Sequence, residues 1–293
     1  MQIKKLLFVT KFDELSFDAL RSLLSLRQAH LNHVVFVTVI ERDKVAMYRG
    51  VGYKKDLEIR LKERANIRFI DWASTLFEEG MEVGAYIVVG NLVSQVMESL
   101  EKEEGDLIVI GRPHDKGVLQ HLYSGSDVTE LLHRSTVPIL VFKHMQEGTN
   151  VPRDPFERPL LAVDWSPASL RGIEYLKSLK GLVTEVDVMT VASMTDLTGS
   201  SAMSVQKLRK DTRHRLDEVC DRLEAEGIAA RSHVYIGDPV EEIERAAREC
   251  RTSVIVVGSS SKSVWTERWL GSIPRTLAAK SGFSVLVVPP EKR

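Results

Sequence analysis

An apolar run, Val254-Ile255-Val256-Val257, passes directly into Gly258-Ser259-Ser260-Ser261-Lys262, and Gly271-Ser272-Ile273-Pro274 follows after Leu270. A buried strand that runs out into small residues, with a Gly-Ser pair opening the next helix, suits phosphate. Glycine permits unusual backbone angles at the strand end, and the serines keep bulk away. Ser272 is placed to cap a helix whose first N–H groups attract anions. The spacing is not that of a P-loop, which needs Gly, four residues, then Gly-Lys-Ser/Thr. Lys262 is either a counter-charge for phosphate or a solvated loop lysine. Trp265 and Trp269 either cover a ligand, mark a contact with a partner, or pack on the adjacent helix. No nucleophile with an adjacent base and no paired carboxylates accompany the segment, so no catalytic residue is assigned.

The elements that must hold such a segment come from an internal repeat, which decides architecture before local detail does. Lys5 to Thr10 matches Pro159 to Asp164, which sets Thr10 against Asp164, and Val34 to Val39 matches Val186 to Val191. Gly90 and Gly111 are separated by 21 positions, as are Gly237 and Gly258. Each half closes on a short apolar strand, at 137–142 and at 284–288. Strands thus alternate with helix-like stretches, such as the amphipathic Leu208 to Leu223 and the stretch opened by Asp238-Pro239-Val240-Glu241, an Asp cap with proline at the first helical position. The segments 42–55 and 193–205 lack clear periodicity and are the candidates for mobile stretches. The fold class is α/β, two tandem doubly wound five-stranded parallel sheets of Rossmann-like type. The boundaries are 1–146, a linker at 147–158 rich in Gly, Pro, Asn and Asp, and 159–293.

Composition gives several classes no support. With 40 basic and 41 acidic residues among 293, there is no electrostatic footprint of a nucleic-acid binder. No apolar stretch approaches the length of a signal core or a membrane span, and a cytoplasmic location is the expectation. Cys220 and Cys250, the two cysteines, sit in polar helix-like sequence, where a disulfide is not needed. The eight histidines show no metal-ligand spacing; His114, His121 and His133 cluster only loosely, so no metal site is expected.

Taken together, the strands and spacings resemble the universal stress protein family, with two UspA-type domains in tandem. The resemblance implies the family's fold, that of adenine nucleotide alpha hydrolase-like proteins. In its nucleotide-binding members the phosphate loop reads Gly, two residues, Gly, nine residues, Gly, then Ser or Thr. Here Gly258, Ser261 and the pair Gly271-Ser272 fill those places, with nine residues from Lys262 to Leu270 and serine replacing the second glycine. The resemblance further implies that Asp164 accepts a hydrogen bond from the adenine or ribose edge. Ala162 and Val191 would give apolar contact to the base, Gly237 would lie near the ribose, Ile273 would offer a backbone N–H to phosphate, and Val163 and Ser259 would also belong to the binding site. The implied cofactor is ATP, ADP or AMP, with magnesium as a candidate companion. The implied role is a stress-response or regulatory one, with at most slow ATP hydrolysis by phosphate positioning. The alternative is a nucleotide-independent scaffold whose pocket is empty or takes a small metabolite.

The first half departs from this pattern. His114 stands at the second-glycine place, ten residues separate it from Gly125-Ser126, and Asp127 puts a carboxylate in the following helix start. The expectation is a degenerate domain without nucleotide. Family resemblance also implies intrachain pairing of the two domains and a homo-oligomer of the whole chain, with no nucleic-acid or membrane partner.

Overall fold

The computed structural model describes residues 2–12, 14–45, 53–112, 125–143, 154–192, 202–259 and 270–291. The chain divides into two compact units, Ile3–His144 and Met145–Arg293. The first unit runs β1 (Lys5–Val9), α1 (Glu14–Ser22), β2 (His33–Glu41), α2 (Arg42–Val45), α3 (Lys55–Glu78), β3 (Glu82–Gly90), α4 (Leu92–Glu103), β4 (Leu107–Arg112), α5 (Gly125–Arg134) and β5 (Ile139–Lys143). The second runs β6 (Pro159–Ala162), α6 (Pro167–Ser178), β7 (Glu185–Ala192), α7 (Ala202–Glu224), β8 (Ala229–Ile236), α8 (Pro239–Glu249), β9 (Val254–Gly258), α9 (Ser272–Lys280) and β10 (Ser284–Val288). Two segments without clear periodicity do contribute helix: α2 occupies 42–45, and α7 begins at Ala202. α2 is a short polar helix, and α7 extends the amphipathic stretch read from Leu208 back to Ala202.

Within each unit every strand pairing is parallel. The order is β3-β2-β1-β4-β5 in the first and β8-β7-β6-β9-β10 in the second. The chain therefore winds outward from β1, or β6, in one direction and then returns to wind in the other. That reversal leaves a crevice at the carboxyl ends of the two central strands. Because both faces carry helices, the central strands are apolar throughout: Leu160, Leu161, Val254, Ile255, Val256 and Leu286 are all fully buried. In the first unit Phe12 and Phe36 pack on Trp72 with ring centroids 5.0 and 5.6 Å away.

Local chemistry sets the boundaries. Asn91 caps α4 by accepting from the Ser94 N–H, Ser166 caps α6 by accepting from the Ser169 N–H, and Asp238 caps α8 by accepting from the N–H groups of Val240 and Glu241. Gly80 and Gly227, with φ of 75° and 84°, turn the long helix of each unit into its third strand.

The ladders correct the alignment of the two halves by one residue. Leu6 pairs with Leu107 and Pro159 pairs with Val254, and both partners lie four residues before the glycine near or at the strand end, Gly111 or Gly258. Leu6 is thus the counterpart of Pro159, and Lys11, not Thr10, is the counterpart of Asp164. Backbone conformation agrees: the next residues, Phe12 and Trp165, both take left-handed angles, with φ of 56° and 59°. The β6–β9 ladder ends at Leu161↔Val256, whereas β1–β4 continues to Val9↔Ile110, one pair further. The crevice of the second unit accordingly opens one residue earlier.

Candidate functional site

A cavity of about 410 Å³ occupies that crevice in the second unit. It is lined by the end of β6 and the residues after it (Ala162, Val163, Asp164, Trp165), the end of β7 (Thr190, Val191, Ala192), Val257 and Gly258 of β9, the start of α9 (Gly271, Ser272, Ile273, Pro274), and side chains of α7 and α8. Eight of the residues marked out in the sequence meet here: Ala162, Val163, Asp164, Val191, Gly258, Gly271, Ser272 and Ile273. The volume lies in the range of roughly 300–1,000 Å³ usual for small-molecule sites.

Asp164 is fixed by its own backbone turn. Its Oδ1 accepts the Ser166 N–H at 2.9 Å, while the preceding Val163 N–H donates to the Met189 carbonyl at 2.8 Å. The side chain is half-buried at the mouth of the crevice. A carboxylate held this way costs no further ordering when a donor group arrives.

Gly258 is required for a different reason than the one its sequence suggests. It takes no left-handed angle. Instead, a Cβ there would lie 2.6 Å from the Ser169 backbone nitrogen and 2.8 Å from the Ala168 carbonyl carbon, so α6 comes too close to β9 for any side chain. At Gly111 of the first unit a Cβ would meet nothing within 4 Å. Gly237 does take a glycine-type backbone, with φ of 155°, and its N–H donates to the Ala192 carbonyl at 3.3 Å. It stands behind Ala192 and is not itself part of the wall.

Ser259 also lies outside the wall. Only 7% exposed, it donates its N–H to the Val288 carbonyl at 2.9 Å and accepts the Gly271 N–H at 2.8 Å through its own carbonyl. These two bonds bring the start of α9 against the end of β9. Ser261, Lys262, Trp265 and Trp269 lie outside the described residues, as do His114 and His121.

The cap of α9 is Gly271, not Ser272, and no side chain caps it. Ser272 is the first helical residue, exposed beside the cavity, and Pro274 removes the third N–H of the turn. The Ser272 and Ile273 N–H groups carry the positive end of the helix at this wall.

Sequence reading missed one pair. Trp165 lines the cavity next to Asp164, and the Arg215 guanidinium from α7 lies 4.0 Å from its ring centroid, close enough for a cation–π contact. Arg215 also lines the cavity, as does Thr212 one turn earlier. Nothing local marks an arginine 50 residues downstream, on a polar helix, as a partner of Trp165. The cavity thus combines one carboxylate, one guanidinium, an uncapped helix start and apolar walls from Ala162, Val191, Val257 and Ile243.

Comparison with known proteins agrees with this architecture. A universal stress protein of Methanocaldococcus jannaschii is 27% identical over 154 residues, which span 48% of this chain and 94% of that protein. A universal stress protein of Bacillus subtilis is 26% identical over 146 residues, 45% of this chain and 99% of that protein. Among solved structures, a universal stress protein of Archaeoglobus fulgidus superposes with a TM-score of 0.71 at 20% identity, covering 99% of this chain and 98% of that one. A structure from Pseudomonas aeruginosa described as a putative universal stress protein gives 0.65 at 18% identity, covering 99% and 94%. The sequence model of the universal stress protein family matches residues 2–143 and again residues 155–289. Two matched repeats, each a five-stranded doubly wound unit, make this chain a tandem member of the universal stress protein family.

Proposed function

We propose that the second unit binds an adenine nucleotide, ATP, ADP or AMP, in the cavity at the ends of β6, β7 and β9, and that the chain acts as a nucleotide-responsive stress protein. The observation that carries this reading is the presence of Asp164 and the uncapped start of α9 in the walls of one cavity. A nucleotide is polar at its base and ribose and anionic at its phosphates. The carboxylate suits a base or ribose donor, and the Ser272 and Ile273 N–H groups suit phosphate. Ala162 and Val191 would flank the base. Arg215 supplies a cation at the wall, and any magnesium would accompany the phosphates. Hydrolysis, if it occurs, would be slow and would come from positioning, since no general base is assigned.

The first unit, on this proposal, does not bind nucleotide. Lys11 replaces the carboxylate, approaching Glu41 at 3.9 Å, and Asp127 occupies the first turn of α5, where the anionic phosphates would otherwise sit. A single site per chain follows. Isothermal titration with ATP and AMP tests the reading: Ser272→Glu puts a carboxylate in the first turn of α9 and should weaken binding by more than tenfold with the fold intact. Equal affinity in the variant would contradict it. Gly258 is unsuitable for this test, because a side chain there displaces α6.

A further inference from the structure

Outside the cavity, the second unit brings an unusual set of side chains together on the face of the sheet covered by α8. β7 and β8 pair in the register Asp187↔Arg231 and Met189↔His233, which makes Asp187 and His233 diagonal neighbours on one face. Asp187 Oδ1 lies 2.8 Å from His233 Nε2, and the Arg231 Nε donates to the same oxygen at 3.2 Å. Cys250, which closes α8, completes the set: a carboxylate oxygen of Asp187, a ring nitrogen of His233 and the Cys250 sulfur all lie within 4.8 Å of one another. The Asp187 side chain is 7% exposed, whereas His233 and Cys250 are half-buried and reachable from solvent.

We infer that Asp187, His233 and Cys250 form a binding site for a divalent cation of the zinc class. Carboxylate, imidazole and thiolate are the three ligand types such an ion takes, at roughly 2.0–2.3 Å, and solvent can supply the fourth position. Around a tetrahedral ion, donors at these lengths stand about 3.2–3.8 Å apart. The present separations, from 2.8 Å to no more than 4.8 Å, bracket that range, so closure asks only for small side-chain adjustments. On binding, both the Cys250 thiol and the His233 imidazolium, which the hydrogen bond to Asp187 favours, give a proton to solvent as the sulfur–metal and nitrogen–metal bonds form. Position favours a cation as well, because Cys250 lies at the carboxyl end of α8, the negative end of the helix.

The fold itself does not demand these residues. By the repeat, His233 and Cys250 correspond to Tyr86 and Glu103, and Asp187 corresponds to Val35. In the first unit the Tyr86 hydroxyl donates to the Glu103 carboxylate at 2.6 Å, an ordinary tie between third strand and helix end. The second unit keeps that tie's location while exchanging its partners for an imidazole and a thiol and adding a buried carboxylate. Since none of the three lines the cavity, this site stands apart from the nucleotide proposal.

The test is titration of the reduced, chelator-stripped full-length chain with Zn²⁺ and Co²⁺. The expected result is one equivalent per chain, a near-ultraviolet thiolate-to-Co²⁺ charge-transfer band, and a metal-dependent rise in the unfolding temperature. Cys250→Ser and His233→Gln should each weaken binding by at least about tenfold, with circular dichroism unchanged, and Cys220→Ser should leave it intact. Absence of a one-equivalent site in the unaltered protein overturns the inference. So does a Co²⁺ complex without a thiolate band, or a Cys250 thiol that alkylates at the same rate with and without Zn²⁺.

Discussion

Lys11 stands in the first unit where Asp164 stands in the second, each directly before a residue in left-handed conformation at the end of the central strand. The exchange reverses a charge at the mouth of the crevice. On the proposed reading, in which the second unit alone takes nucleotide, this reversal separates the two copies more strongly than loss of a carboxylate alone would.

Asp164→Ala should weaken adenine nucleotide binding by roughly tenfold, the loss of about one hydrogen bond to a charged acceptor. Stability should change little, because the Asp164 carboxylate accepts only a local turn N–H at the surface of the crevice. Titration calorimetry beside thermal unfolding separates the two effects. A large drop in unfolding temperature would make Asp164 a structural residue.

Gly258→Ala and Gly111→Ala form an internal pair. The first forces a methyl group to 2.6 Å from the Ser169 nitrogen and should cost about 1–3 kcal/mol as α6 shifts. The second meets nothing within 4 Å and should stay within about 0.5 kcal/mol. Denaturant unfolding of both variants gives the comparison, and equal losses would contradict it.

The Tyr86–Glu103 tie predicts a pH dependence. The Tyr86 hydroxyl and the Lys5 ammonium, which lies 2.9 Å from Glu103, hold the Glu103 carboxyl below its usual range. The carboxylate in turn raises the Tyr86 phenol to about 12. A depressed carboxyl contributes stability above its ordinary value near 4.5 and loses it as pH falls through the folded-state value. Tyr86→Phe should therefore cost under about 1 kcal/mol at pH 7, because the pair is partly exposed, and less at pH 3. Urea unfolding at the two pH values checks this; a cost that grows in acid would reverse the assignment.

Much of the fold was legible because the information is periodic. Buried parallel strands write apolar runs, and the glycines at 90 and 111, like those at 237 and 258, repeat at one interval. Asp238 could be read as a cap because capping is local. Harder to read was anything set by packing across the sheet. The one-residue shift between Thr10 and Lys11 appears only in the ladders, since neighbouring apolar residues are interchangeable in sequence but not in register. Gly258 looked like a turn glycine and proved to be a close approach to α6. Arg215 over Trp165, and Cys250 beside His233 and Asp187, join residues that are distant in the chain, so no local spacing announces them.

The most direct test of the account is the nucleotide stoichiometry of the full-length protein. Mass spectrometry of material released from the denatured, purified chain should be combined with titration of the stripped chain. The account predicts one adenine nucleotide per chain, lost in Ser272→Glu and unaffected by Lys11→Ala. Two equivalent sites, or a chain that carries no nucleotide and fails to bind added ATP, ADP or AMP, would contradict it.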